Sequence, residues 1–233
     1  MRPFWIGSVT IPVLTLLVAA CAHSPTPMPS ASPTKLPSAH GTAVNPANIK
    51  RVVRALPPGY EVTTGIPSGA SPRVIWGLAA DASDIRSKPP QCATLADPGN
   101  GRDQSAQGVS GSGMGGIVDA VVVVALPGPV DLDHNLVAAC GHWTMTAGQT
   151  TASVRLTDSP HVDGAETLGM VVDIKTSVES GAEIDSRAYT FTAYLGGYYA
   201  FTTLTTEPGS GLPALSPQFT ADLLVKTVST LRS

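Results

Sequence analysis

From Gly141 onward the chain is a succession of β-branched and aromatic runs separated by very short connectors, and this pattern restricts the fold more than any other feature. The runs are 142–146, 151–157, 168–178, 187–195 and 198–206. Ala147-Gly148-Gln149, Glu179-Ser180-Gly181 and Gly196-Gly197 are hairpin connectors, so the strands they join must run antiparallel. Within 189–195, alternation sends Tyr189, Phe191, Ala193 and Leu195 to one face and Thr190, Thr192 and Tyr194 to the other. Upstream, Gly115-Gly116 introduces Ile117-Val118-Asp119-Ala120-Val121-Val122-Val123-Val124-Ala125, a β-branched run predicted as a central strand and ended by Pro127-Gly128-Pro129.

Helical signals flank and interrupt these runs. Ile49, Val52, Val53 and Leu56 recur at helical spacing after Asn45-Pro46, and Pro57-Pro58-Gly59 stops them. Residues 60–64 read as extended. Ser71-Pro72 reads as a cap with proline at the first helical position, leading through Val74, Ile75 and Leu78. Pro89-Pro90 introduces a turn carrying Cys92, and 131–140 is predicted helical, with Leu132, Leu136, Val137 and Cys140 on one face. After Ser216-Pro217, residues 218–231 form an amphipathic pattern striped by Phe219, Leu223, Val228 and Leu231 and widened by Leu224 and Val225. The expectation is an α+β domain, an antiparallel sheet of five or six strands with N-terminal and C-terminal helices packed on it and one face covered.

The first 46 residues read differently. Arg2, an apolar run over 4–18, and small Ala19-Ala20 before Cys21 have the three parts of a secretory signal. The run is shorter than the roughly 20 apolar residues of a membrane span and is interrupted by Pro12. Leu17-Val18-Ala19-Ala20-Cys21 is the pattern of a lipoprotein processing site, where small residues enter the peptidase and only a cysteine thiol can accept diacylglycerol. Two acyl chains suffice for stable anchoring where one is marginal. Residues 22–46 carry prolines at 25, 27, 29, 33, 37 and 46 and almost no large apolar side chain, so they cannot build a core. In polyproline II they span up to roughly 75 Å. The division is therefore a signal peptide over 1–20, a lipidated cysteine with a Pro-rich tether over 21–46, and a single domain over 47–233.

With Cys21 assigned to lipid, Cys92 and Cys140 remain as an even pair in an oxidising compartment, and a disulfide is the economical reading. Metal-binding thiolates would need further His or Cys at ligand spacing. The formal charge is −3, with neither sign clustered, which argues against nucleic acid.

Signatures of catalysis are weak. Gly111-Ser112-Gly113-Met114-Gly115-Gly116 matches G-x-G-x-x-G, but a dinucleotide loop must open a helix, and here it leads into a strand. The glycines read as a flexible loop or a hairpin connection. Ser110 and Ser112 lack a G-x-S-x-G elbow. His134, His142 and His161 with Asp131, Asp133, Asp158 and Asp163 supply triad-type residues without a local arrangement. Asp131 and Asp133 beside His134 read better as acids at a helix N-terminus than as metal ligands. Trp76, Trp143, Tyr194 and Tyr198 are the candidates for an apolar ligand cleft, set against the commoner role of aromatics as core.

The lipobox, the Pro-rich tether, Leu56-Pro57-Pro58-Gly59-Tyr60, Pro89-Pro90-Gln91-Cys92, the Gly-rich stretch before the valine strand, Phe191-Thr192-Ala193-Tyr194-Leu195-Gly196 and Ala221-Asp222-Leu223-Leu224-Val225-Lys226-Thr227 together resemble a family of mycobacterial lipoproteins of unknown function. The likeness covers most of 55–232. More distantly the chain resembles the extracellular sensor domain of mycobacterial receptor Ser/Thr kinases, which implies an antiparallel sheet with flanking helices, disulfides and a ligand-sized cleft. The functional expectation is a non-enzymatic, sensor-like binding module without cofactor or metal. It would be held by lipid at the extracytoplasmic face of the cell membrane and would bind an apolar or amphipathic ligand or an envelope protein. The alternatives are an envelope serine hydrolase with a non-local triad and a passive structural lipoprotein.

Overall fold

The computed structural model describes residues 43–78, 84–209 and 211–233. The predicted signal peptide, Cys21 and the tether up to residue 42 lie outside them. Nine strands form one antiparallel sheet: β1 (Glu61–Thr63), β2 (Arg86–Lys88), β3 (Asp103–Gly113), β4 (Gly116–Leu126), β5 (His142–Ala147), β6 (Thr150–Thr157), β7 (Glu166–Ser177), β8 (Glu183–Tyr194) and β9 (Tyr198–Thr206). Their spatial order is β1-β3-β4-β9-β8-β7-β6-β5-β2. The helical elements are 3-10 segments at Pro46–Ala55 and Pro90–Cys92 and the helices α1 (Pro72–Ile75), α2 (Ala93–Ala96), α3 (His134–Ala139) and α4 (Pro217–Leu231). No helix among the described residues is long and apolar enough to cross a membrane.

This corrects the α+β expectation. The domain is mostly β, its sheet has nine strands rather than five or six, and apart from α4 its α-helices are only four to six residues long. The N-terminal segment is a 3-10 helix, in which residues three apart eclipse one another, and Ile49 and Val52 are accordingly both buried. The largest addition to the sheet is β3, whose sequence, Asp-Gln-Ser-Ala-Gln-Gly-Val-Ser-Gly-Ser-Gly, carries almost no apolar signal. Its neighbours occupy the space its side chains would fill. A Cβ at Gly108 would stand 2.6 Å from the Ala120 carbonyl oxygen, and one at Gly111 would stand 2.8 Å from Leu56 Cδ1. The glycines therefore let other parts of the chain close directly onto the strand.

Both faces of the central strands are buried, not one. Along β4, Val118, Ala120 and Val122 point to the face covered by the 3-10 segment and α4, against Ile49, Val52, Leu224 and Leu231. Val121, Val123 and Ala125 point to the opposite face, packed with Trp76, Leu78, Trp143, Tyr199 and Phe201. Helix α4 starts where the Ser216 hydroxyl accepts from the Phe219 amide at 3.2 Å, with Pro217 at its first position. It buries Thr220, Leu223, Leu224, Thr227, Val228 and Leu231 on one side. Its end is tied to the 3-10 segment, since the Asn45 amide donates to the Leu231 carbonyl at 2.8 Å and Asn48 Nδ2 to the Ser233 carbonyl at 2.7 Å.

The second face is covered by short, irregular pieces, which need cross-links more than a long helix does. Cys92 and Cys140, both fully buried, form a disulfide with a Cα–Cα distance of 5.7 Å. Arg73 Nε donates to Asp97 Oδ2 at 2.7 Å within a largely buried pair that links α1 to the end of α2. The double variant Cys92→Ala/Cys140→Ala is expected to lose about 4 kcal/mol of unfolding free energy, the chain-entropy value for a link spanning 48 residues. Guanidinium unfolding of wild type and variant measures it.

Candidate functional site

The structure places most of the sequence-derived cleft candidates in the core. Trp76, Trp143 and Tyr194 are buried, and Tyr198 is partly buried near the β8–β9 turn. Alternation does turn Tyr194 away from Phe191, but the face it turns to is covered as well. None of the four lines the cavity at the β3–β4 hairpin tip, the one beside the start of α4 or the one beside Arg73.

The triad-type residues are dispersed. His134 Nε2 lies 2.6 Å from Glu166 Oε1, and His161 Nε2 lies 3.1 Å from Asp163 Oδ1, both pairs exposed. His142 Nε2 lies 3.1 Å from Ser153 Oγ on an open part of the sheet. The carboxylate opposite Ser153 in register, Asp173, is engaged by Arg187 at 2.6 Å and Arg155 at 3.6 Å. Ser110 stands opposite Asp119, and Ser112 opposite Ile117, with no histidine beside either in register. Asp133 caps α3, its Oδ1 accepting from the Asn135 and Leu136 amides at 2.8 and 3.1 Å. Among the described residues, no group of three or more His, Cys, Asp or Glu side chains could hold a metal ion.

The Gly-rich stretch singled out by the sequence is the end of β3, the turn at Met114-Gly115 and the first residue of β4. A Cβ at Gly113 would collide with the Tyr60 ring, so these glycines serve packing and not a phosphate. One wall of a cavity of about 270 Å³ is this hairpin tip. The other walls are Ile184 and Ser186 of β8, Thr205 and Thr206 at the end of β9 with Glu207 after it, and Leu212 and Ala214. Met114 (74% exposed), Ile117 (47%), Ile184 (53%) and Leu212 (53%) converge here, four of the seven large apolar side chains left exposed among the described residues. Apolar surface gathered at one concave place marks a binding site more often than the same surface scattered singly. Sequence reasoning missed it because its residues come from three separate stretches. The one local cue was a methionine held at a turn between glycines.

The sequence profile of a family described as a domain of unknown function, DUF5642, matches residues 45–232. The chain belongs to that family. No curated protein matches it. An X-ray structure of an uncharacterised Mycobacterium smegmatis protein, an Rv0999 ortholog, is similar in fold, with a TM-score of 0.59 at 18% identity. The likeness covers 82% of this chain and 98% of that one.

In this DUF5642 domain a polar row, buried except at half-buried Ser110, adjoins the groove. Ser110, Asp119, Thr203 and Thr190 stand opposite one another across β3, β4, β9 and β8, one pleat inward from Ile117 and Thr205. Trp76 Nε1 donates to Thr190 Oγ1 at 3.0 Å, and Thr190 Oγ1 lies 3.0 Å from Thr203 Oγ1. Asp119 is only 4% exposed. Burial pushes its carboxyl up from 3.8 to about 6, against the opposing hydrogen bond from Ser110. Below pH 3.8 the carboxyl is protonated in folded and unfolded chains alike and adds no pH dependence. As pH rises the unfolded chain ionises first, so stability falls between about pH 4 and 6 and stays lower above that window. The separation corresponds to about 3 kcal/mol. Asp119→Asn is expected to match wild type near pH 4 and to be the more stable protein at pH 7, as read by urea unfolding at the two pH values.

Proposed function

We propose that the chain is an exported lipoprotein, lipidated at Cys21 and held at the extracytoplasmic face of the cell membrane. Its domain binds an apolar or amphipathic ligand, or an envelope protein, in the groove at Met114 without covalent chemistry. The observation that carries the binding role is the convergence of Met114, Ile117, Ile184 and Leu212 on one cavity. Covering the exposed half of such a side chain is worth roughly 0.8–1.5 kcal/mol, which an occupant recovers. The lipobox and the Pro-rich 22–46 segment support the anchoring. The sequence resemblance to receptor-kinase sensor domains supports a sensor-like use of the groove. Dispersal of the Ser, His and Asp side chains into separate local pairs favours binding over hydrolysis.

Metabolic labelling with an alkyne fatty acid tests the anchor. Wild-type protein is expected to carry the label and to sediment with membranes. Cys21→Ala is expected to lose both properties, and a variant still labelled would refute lipidation at that residue. For the groove, native mass spectrometry of full-length protein extracted in mild detergent is expected to show a bound species on wild type that Ile117→Asp lacks. An adduct of equal abundance on the variant would place the ligand elsewhere.

A further inference from the structure

The groove occupies a gap in the sheet. Strand β9 ends at Thr206, opposite Arg187, whereas β8 begins at Glu183. Glu183, Ile184, Asp185 and Ser186 therefore pair with β7 on one side and, among the described residues, with no strand on the other. The Thr206 hydroxyl donates to the Arg187 carbonyl at 3.4 Å, which turns the backbone polar groups of Arg187 toward β9. Alternation along an antiparallel strand then turns those of Asp185 and Glu183 the same way, into the gap. β4 begins at Gly116, one residue beyond the Ile117–Thr205 pair, so past Thr206 the edge of β8 faces only the hairpin turn at Met114-Gly115, and an added strand would lie one spacing, roughly 4.8 Å, from β8.

Charge adds a second constraint. Glu207 lines the groove, Glu183 and Asp185 belong to the open edge, and Glu61 pairs with Ser112 beside the hairpin tip. Against these stand Lys175, whose amine lies 2.8 Å from Asp185 and 3.6 Å from Glu183, and Arg187 at the end of the gap, itself held by Asp173 at 2.6 Å. The rim is net acidic.

We propose that this gap takes an extended peptide segment of a partner protein, added as a strand along Glu183–Ser186 of β8, past the turn of the β3–β4 hairpin. Main-chain hydrogen bonds to the open edge supply affinity. Alternate apolar side chains enter the cavity against Ile117, Ile184 and Leu212, and Lys or Arg at the flanks faces the acidic rim. This rests on the reading of the groove as the binding site and names its occupant.

The test pans a phage-displayed library of random twelve-residue peptides against the full-length protein in detergent micelles. A synthetic copy of the most enriched sequence is then followed by fluorescence anisotropy and by hydrogen exchange. Enriched peptides are expected to alternate apolar and polar residues and to carry net positive charge. Ile184→Asp is expected to weaken the synthetic peptide at least tenfold, and Glu183→Lys at least threefold, with only a small change in thermal unfolding because both side chains and the Lys175–Glu183 pair are exposed. The amides of residues 183–187 are expected to exchange more slowly in the complex. Absence of enrichment, equal binding by Ile184→Asp, or protection confined to other strands overturns the proposal. Should the mass-spectrometric adduct be present and depend on Ile117 while no peptide is enriched, the groove remains a ligand site and strand addition fails alone. If the adduct is also missing, both readings fall.

Discussion

The whole arrangement depends on a sheet whose middle strands are apolar on both faces. Val118, Ala120 and Val122 alternate with Val121, Val123 and Ala125 along β4, so neither face can be left to water. Each face is covered by different means. On one, α4 and the 3-10 segment form a continuous layer from the two ends of the described domain, joined through Asn45, Asn48 and Leu231. On the other, the cover is assembled from pieces too short to stand alone. The disulfide, the Arg73–Asp97 pair and the Trp76–Thr190 hydrogen bond hold them down. The asymmetry has a thermodynamic logic, since short segments gain little from helix formation and depend on links that limit the freedom of the unfolded chain.

Legibility in the sequence followed how much each residue's own side chain decides its place. The valine run of β4 and the alternating segment 189–195 declare themselves because their side chains are the ones that pack. Strand β3 does not, because at Gly108 and Gly111 the packing atoms belong to Ile66, Leu56 and Ala120. A pattern built from a strand's own hydrophobicity cannot register side chains contributed by someone else. The three-residue strands β1 and β2 are too short for any period to appear. The pairing of Cys92 with Cys140 was within reach because setting Cys21 aside leaves an even pair.

The site was less legible than the fold. Alternation turns Tyr194 away from one core, but covering of the second face carries it into the other together with Trp76 and Trp143. The groove that does exist is created by a difference in length between β8 and β9, a property of pairing and not of any single segment. Its apolar residues sit at a turn, a strand start and a connecting stretch, positions where a sequence reader expects polar side chains. The polar row through Asp119 escapes notice for the converse reason, since Ser110, Thr203 and Thr190 become neighbours only across four strands.

The outer rims of the sheet behave unlike its interior gap. Both limits are three-residue strands, Glu61–Thr63 on one side and Arg86–Lys88 on the other, carrying charge of opposite sign. An outward-facing backbone row that short gives an approaching sheet little to continue, and ionised side chains resist being dried. Copies crowded side by side would therefore meet as discrete bodies and not grow into ribbons. Contacts between such rims stay few and reversible, so any lasting strand pairing falls to the longer unpaired edge of β8 inside the sheet.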